Sequence, residues 1–335
     1  MAGSVPAAAT QLYYRLSGGY SRIRAAKALL MGILFAIPVA CLYAWFEYRG
    51  PWGMLMLLAT ILFGRYMAAV TDYCLKKNLV RSVPVAVVIC AAVALIGLQF
   101  AWAVWIGLGT ELPPRWVIFY PFHIWQVIAA LNAHGVWPVH SEILWLIFAG
   151  EAILIVPLTV YYGTYKMRQR TFCENCSHWA ESTEGICYVA AGARPNIDNR
   201  AAMKAYRYEL KALAGELRRH LEEKDFGYLE YLGAVPKDAF AWFSLDLQFC
   251  SQCGQTNTLG LILHRKVIQD FGHFLKSGKK VKDDEGCPEE IFRQLVLSPG
   301  EAKALRKLGK RLTPQLALLA KGRPESATVE TVSGG

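Results

Sequence analysis

Charged residues are scarce in this chain of 335 residues. Asp, Glu, Lys and Arg make up 19% of it, whereas hydrophobic residues make up 54%. Both values depart from the usual composition of soluble globular proteins, and the apolar excess lies in the first half. Basic residues outnumber acidic ones, which gives a formal net charge of +10. A positive charge suits anionic lipid headgroups or nucleic acid and does not specify a fold.

The sequence also lacks the residue sets of common enzyme classes. It contains no Walker loop, no assignable Ser-His-Asp set and no paired catalytic carboxylates. The seven histidines are scattered along the chain. We interpret His123, His134 and His140 as polar groups at a membrane interface rather than as ligands. None of these residue sets assigns a catalytic reaction to the chain.

Four apolar segments are long enough to cross a bilayer as helices, which takes about 20 residues each. The predicted spans cover residues 28–46, 52–75, 83–110 and 143–162. The first span is longer than the apolar part of a signal peptide, so we expect it to be a retained anchor. A fifth stretch, residues 116–133, is uncharged but contains Pro121, His123, Gln126 and Asn132.

Three clusters of basic residues flank the predicted spans, at residues 15–27, 76–81 and 166–170. Cytoplasmic loops carry an excess of Lys and Arg, so all three clusters should lie in the cytoplasm. The chain then crosses an even number of times between the last two clusters, and the third and fourth spans supply two crossings. We therefore expect residues 116–133 at the outer interface. The pattern predicts a multi-pass protein of a bacterial inner membrane with both termini in the cytoplasm.

Three charged residues lie within the predicted spans, namely Arg65, Asp72 and Glu151. A charge at mid-bilayer costs about 2.5–3.5 kcal/mol, so a partner is expected. Arg65 lies 11 residues before Lys76 and Glu151 lies 15 before Lys166, which places the two charges within roughly 6 Å in depth. We predict an Arg65–Glu151 ion pair, with Asp72 nearer the inner interface. Such a pair serves either as a packing clamp or as a transport or proton-relay site.

Two Cys-x-x-Cys pairs follow the last span, Cys173/Cys176 and Cys250/Cys253, and 73 residues separate them. Four thiolates are the ligand set of a structural zinc ribbon. Cytoplasmic thiols stay reduced, which favours a metal over disulfides. The sequence predicts one structural Zn²⁺, although the spacer exceeds the usual 15–20 residues. A closed site of this kind has no open position for substrate.

The sequence also allows other metal ligands and a redox function for the cysteines. Cys187, His178 and Cys287 can replace a knuckle cysteine that does not bind the metal. Either Cys-x-x-Cys pair can also be a thiol–disulfide centre. Redox pairs generally begin a helix in a thioredoxin-like βαβ pattern, which this sequence does not show.

The residues around the cysteines predict a mixed α and β domain. Apolar and polar side chains alternate over Phe243–Phe249, which predicts a strand, and a second strand is predicted over Thr258–Val267. The second knuckle is therefore expected to join two strands of a hairpin. Asp198 can cap a helix over residues 199–224 within the spacer. The predicted fold class is four transmembrane helices followed by a small α+β zinc-ribbon-like cytoplasmic domain. The predicted divisions are residues 1–20 (tail), 21–165 (membrane), 166–275 (zinc ribbon), 276–321 (basic helical region) and 322–335 (disordered tail).

A basic helix is predicted near the C-terminal end. Ser298 and Glu301 form a capping-box pattern before a helix over residues 301–312. Its basic side chains are Lys303, Arg306, Lys307, Lys310 and Arg311. This surface can lie on the anionic inner leaflet, bind nucleic acid, or be a solvated face of a packed helix.

One part of the chain resembles a group of bacterial multi-span membrane proteins. In that group an interfacial aromatic helix precedes a last span with one internal glutamate, and Phe-Cys-x-x-Cys follows at the membrane. The matching residues are Trp125, Trp145, Glu151, Phe172, Cys173 and Cys176. The resemblance covers about a fifth of the chain. It implies the architecture and no activity.

Three functions are compatible with these observations. The leading hypothesis is a binding, scaffold or sensing protein that contacts the lipid bilayer and a cytoplasmic protein, with nucleic acid as an alternative partner. The second is a small transporter or its accessory subunit that uses Arg65, Asp72 and Glu151. The third is a membrane thiol oxidoreductase.

Overall fold

The computed structural model describes most of the chain, in two compact units. The described residues are 11–49, 53–109, 126–127, 129–130, 142–191, 200–236, 239–268, 283–285 and 288–312. One unit is Leu16–Arg170, and the other joins Met1–Arg15 to Thr171–Gly335. We call them the membrane unit and the cysteine unit.

The membrane unit is built from four long helices. They are α1 (Arg22–Arg49), α2 (Gly53–Lys77), α3 (Val83–Gly109) and α4 (Glu142–Arg168). Each is long and apolar enough to cross a membrane, which confirms the predicted set of four spans and identifies a multi-pass membrane protein. Large apolar side chains such as Met54 and Val88 are exposed on these helices, as expected for surfaces that face lipid.

Small residues form the helix contacts of the membrane unit. The buried residues of α1 include a stripe of small residues that repeats every four positions, namely Ala28, Gly32, Ala36, Ala40 and Ala44. A Cβ atom on Gly32 would lie 2.8 Å from Val93 Cγ2, and one on Gly163 would lie 2.9 Å from Cys90 Sγ. Small side chains let helix backbones approach closely where lipid provides no hydrophobic driving force. The predicted interfacial segment, residues 116–133, lies outside the described residues apart from two helical pairs.

The cysteine unit is built around an antiparallel sheet. Its main strands are β3 (Glu181–Ala190), β4 (Ala241–Phe249), β5 (Asn257–Ile268) and β7 (Glu289–Leu297), in the order β3-β4-β5-β7. A short β6 (Asp283–Glu285) pairs with the end of β5. A separate hairpin is formed by β1 (Phe172–Cys173) and β2 (His178–Trp179). The helices are α5 (Arg200–Glu222), α6 (Gly227–Leu232) and α7 (Pro299–Leu312).

The core of the cysteine unit lies between one face of the sheet and the helices. Alternate residues of β4, namely Phe243, Leu245 and Leu247, are fully buried there with Leu217 of α5 and Leu305 of α7. The alternation predicted for β4 and the two predicted helices are therefore present. The Ser298 N–H donates to Glu301 Oε2 at 2.7 Å and the Glu301 N–H donates to Ser298 Oγ at 3.3 Å, which completes the predicted capping box. Asp198 lies outside the described residues.

The sheet extends beyond the predicted ribbon. Residues 276–321 were expected to be helical, yet β6 and β7 precede α7. The edge of β7 also receives residues of the supposed N-terminal tail. The Tyr14 N–H donates to Gln294 O at 2.8 Å, and the Val296 N–H donates to Leu12 O at 2.9 Å. An edge strand with unpaired backbone groups accepts such an added strand readily, so the N-terminal segment belongs to the cysteine unit.

Candidate metal centre

Two hairpins position the four cysteines of the knuckles. Cys173 ends β1 and Cys176 lies in the turn before β2, while Cys250 and Cys253 lie in the connection between β4 and β5. The Gly254 N–H closes the second turn by donating to Cys250 O at 2.9 Å. Gly254 has a φ of 65°, a conformation that glycine adopts without the steric cost of a Cβ.

The four cysteines form one cluster. All four sulfur atoms lie within 4.8 Å of one another, and Cys173 Sγ lies 3.5 Å from Cys253 Sγ. Tetrahedral Zn²⁺ with bonds of about 2.3 Å holds its sulfur ligands roughly 3.8 Å apart. The cluster therefore fits one metal ion after small side-chain adjustments. Cys173 and Cys250 are buried, whereas Cys176 and Cys253 are partly exposed.

The thiols of the cluster differ in acidity. Burial raises the pKa of Cys173, but hydrogen bonds with Thr256, the Cys176 backbone and the other cluster thiols outweigh it and lower this pKa to about 7. Hydrogen bonding with Cys253 and burial raise the pKa of Cys176 to about 12. A thiolate is the form that binds a metal, so the cluster offers a first ligand near neutral pH.

The alternative ligands do not join this cluster. Cys187 lies in the sheet core beside Val189 and Phe243, where burial raises its pKa to about 12. His178 is exposed on β2 and is not among the clustered ligand groups. Cys287 lies outside the described residues.

Contacts around Thr171 join the first hairpin to the main sheet. The Thr171 N–H donates to Gln248 Oε1 at 2.8 Å, and its hydroxyl lies 2.6 Å from that of Thr258. Phe172 and Trp179 pack edge to face with ring centres 5.1 Å apart. The first knuckle is therefore held on β4 and β5 by contacts besides those of the cysteines.

The charges in the membrane unit pair differently from the prediction. Asp72 forms a bidentate ion pair with Arg170, with N–O distances of 2.7 and 2.9 Å. The Arg65 guanidinium lies 4.0 Å from the ring centre of Tyr162. Glu151 instead accepts hydrogen bonds from two aromatic side chains described below. The predicted Arg65–Glu151 pair compared only depths along the helices, whereas the direction of each side chain around its helix decides its contacts.

All five predicted basic side chains of α7 are exposed. Two of them have partners within the cysteine unit, because Arg306 lies 4.0 Å from the ring centre of Phe249 and Arg311 pairs with Glu230 at 2.7 Å. Lys303, Lys307 and Lys310 continue the same exposed surface. We call these three residues the lysine face.

Neither a protein-family model, nor a curated protein, nor a solved structure matches this chain. The candidate site is therefore characterised by the structure of this chain alone. The chain has a multi-pass membrane unit followed by a mixed α and β unit with a four-cysteine cluster.

Proposed function

We propose that this protein is a membrane-anchored binding module whose cysteine unit is stabilised by one structural Zn²⁺. The observation that carries the proposal is the meeting of four cysteine sulfurs within 4.8 Å of one another. Cys173, Cys176, Cys250 and Cys253 would hold the ion, which fills its coordination with protein ligands. The bound ion would cross-link the β1–β2 hairpin to the β4–β5 hairpin.

The metal is proposed to act on folding rather than on a substrate. A four-thiolate site leaves no position for water, so it supplies binding energy and no reaction. Structural Zn²⁺ provides on the order of 10 kcal/mol toward folding a small domain. That energy would fix the β1–β2 hairpin, whose strands have only two residues each.

The proposal places the cysteine unit in the cytoplasm of a bacterial cell, beneath the inner membrane. The basic clusters that flank the helices support this side. The pairing of Leu12 and Tyr14 with β7 supports an even number of crossings. Both ends of one folded unit must lie on the same side of the bilayer, and four helices meet that condition.

The lysine face is the proposed contact for an acidic segment of a cytoplasmic protein. Exposed cations attract acidic partners and accelerate their encounter. Lys303, Lys307 and Lys310 are exposed, so their replacement tests binding with little effect on the core of the cysteine unit. The anionic inner leaflet and nucleic acid are the competing partners.

A photo-reactive residue at position 307 of the full-length protein tests this proposal in cells. The expected result is one cross-linked protein partner, lost when Lys303 and Lys310 are replaced by Glu. The matched control replaces Lys204 and Lys211, exposed lysines of α5, by Glu and keeps the cross-link. Cross-links only to lipid or nucleic acid, or equal loss in both variants, would contradict the protein-binding role.

The two other functions have weaker support. Transport through Arg65 and Asp72 is less well supported, because Arg65 packs on the ring of Tyr162 and Asp72 is paired with Arg170. Thiol–disulfide exchange is disfavoured because the two Cys-x-x-Cys pairs meet in one cluster, an arrangement suited to a shared ion. Quantifying disulfides in the purified protein distinguishes the redox function from the metal site.

A further inference from the structure

All four membrane helices contribute to a buried polar site around Glu151 of α4. Glu151 is 6% exposed. Its Oε1 accepts a hydrogen bond from the Tyr43 hydroxyl of α1 at 2.9 Å, and its Oε2 accepts one from Trp102 Nε1 of α3 at 2.9 Å. The Thr60 hydroxyl of α2 lies 3.0 Å from that of Tyr43. Each oxygen of Glu151 therefore has a donor directed at it.

A second carboxyl group completes this site. Glu47 of α1 is 2% exposed, and its carboxyl group is a hydrogen-bonding neighbour of the Glu151 carboxyl group. Its Oε2 is buried and has no hydrogen-bond partner among the residues that the structure describes. A buried acceptor without a partner is unfavourable, so the site is not a fully satisfied packing clamp.

Two ionised carboxylates cannot occupy this position together. Burial removes their hydration, and the two negative charges repel each other at contact distance. A single proton between them removes the repulsion and supplies a hydrogen bond. Both oxygens of Glu151 already accept hydrogen bonds from other donors. Glu47 has an unpaired acceptor instead, so it is the group that carries the proton and donates to Glu151.

We propose that Glu47 and Glu151 form a proton-binding site within the helix bundle, in which two carboxyl groups share one proton and one negative charge. The ligand is a proton exchanged with water, and no other reactant is needed. Among the described residues, Tyr43 is the other titratable group in contact with the pair, since Thr60 and Trp102 do not ionise in this range.

Glu47 lies near one end of the helix bundle. Glu47 lies two residues before the end of α1 at Arg49, and the side chains of Tyr48 and Arg49 are exposed. Asp72 lies near the C-terminal end of α2, and its partner Arg170 follows the end of α4 at Arg168. Glu47 and the Asp72–Arg170 ion pair therefore lie toward opposite ends of the helices.

Infrared difference spectroscopy of the full-length protein in lipid nanodiscs tests the site directly. A protonated carboxyl group has its own C=O stretching band, and we expect such a band at neutral pH that disappears on alkaline titration. Glu47→Gln should remove the band and its pH-dependent change, because the amide keeps a donor for Glu151 but takes up no proton. Asp72→Asn removes a carboxylate that is already ion-paired with Arg170, so this variant should retain the band.

A second measurement, thermal unfolding, shows whether the Glu47→Gln variant still folds and whether the site binds a metal ion instead of a proton. Thermal unfolding of Glu47→Gln should give an intact cooperative transition, unchanged by calcium or magnesium. No protonated-carboxyl band in the wild-type protein, or a band that persists in Glu47→Gln, would overturn the proposal. Stabilisation of the wild type by either cation and not of Glu47→Gln would also overturn it, since the pair would then be a metal site.

Discussion

The Tyr13 hydroxyl donates a hydrogen bond to Glu222 Oε1, a carboxylate that lies 209 positions further along the chain. The ring of Tyr13 also packs against Phe292 with centres 6.1 Å apart, and Arg218 lies over it at 5.7 Å. The segment before the first membrane helix thus carries an anchoring side chain of the cysteine unit. Removal of this segment would leave the β7 edge and the end of α5 without their partner.

Tyr13→Phe tests the contribution of this anchor. The substitution keeps the ring but removes the hydrogen bond to a charged partner, so unfolding should become easier by about 1–2 kcal/mol. Denaturant unfolding of the detergent-solubilised full-length protein measures the change. Tyr208→Phe removes the hydroxyl of a 65% exposed tyrosine on α5 and should have no comparable effect. Equal stability of all three proteins would show that the N-terminal segment is not anchored through Tyr13.

The same contact predicts a loss of stability at alkaline pH. Burial, together with Glu222, raises the pKa of Tyr13 to about 12, whereas an unfolded tyrosine titrates near 10. Between these values the folded protein binds more protons than the unfolded chain, so stability falls as pH rises. Unfolding curves at several pH values should show a smaller decline over this range in Tyr13→Phe than in the wild type. Identical declines would exclude this contribution.

Gly309 on α7 lies directly against β3. A Cβ atom there would lie 1.9 Å from the carbonyl oxygen of Ile186, so Gly309→Ala must displace α7. We expect a loss of about 1–3 kcal/mol by overpacking, measured by denaturant unfolding. Gly215→Ala on α5 meets open space and should stabilise the helix by up to about 1 kcal/mol. The same sign for both substitutions would contradict the packing of α7 on β3.

Close packing between α1 and α3 makes a further prediction. Gly32→Leu would insert a side chain where a Cβ already lies 2.8 Å from Val93 Cγ2. We expect the thermal unfolding temperature in detergent to fall, with a free-energy cost of about 1–3 kcal/mol. Gly150→Leu on α4 enters open space and should be tolerated. If Gly150→Leu proved the more damaging of the two, the described helix contacts would be incorrect.

Several elements could be predicted from the sequence because their signals are local. Continuous apolar runs of membrane length identify α1 to α4, and alternation in Phe243–Phe249 identifies β4. The capping box of Ser298 and Glu301 marks the start of α7. The Cys-x-x-Cys spacing also predicted that the four cysteines would cluster, even though residues 177–249 separate the two pairs, since this spacing is typical of metal-binding knuckles.

Other features depend on contacts that no local pattern carries. Glu47 lies just outside the predicted first span of residues 28–46, so the sequence did not identify it as a buried charge, yet the fold buries it beside Glu151. Leu12–Tyr14 is too short to show strand periodicity, and its pairing with β7 is set by the edge of a distant sheet. The depth argument for Arg65 and Glu151 failed because helix rotation was not available from the sequence.

The metal content of the purified full-length protein tests the central claim most directly. Elemental analysis should find one zinc per chain, and chelation should release it and lower the stability of the cysteine unit. Cys173→Ser and Cys250→Ser should lose the metal, whereas Cys187→Ala, which alters a core thiol outside the cluster, should retain it. Metal-free wild-type protein, or full zinc content in Cys250→Ser, would contradict the account.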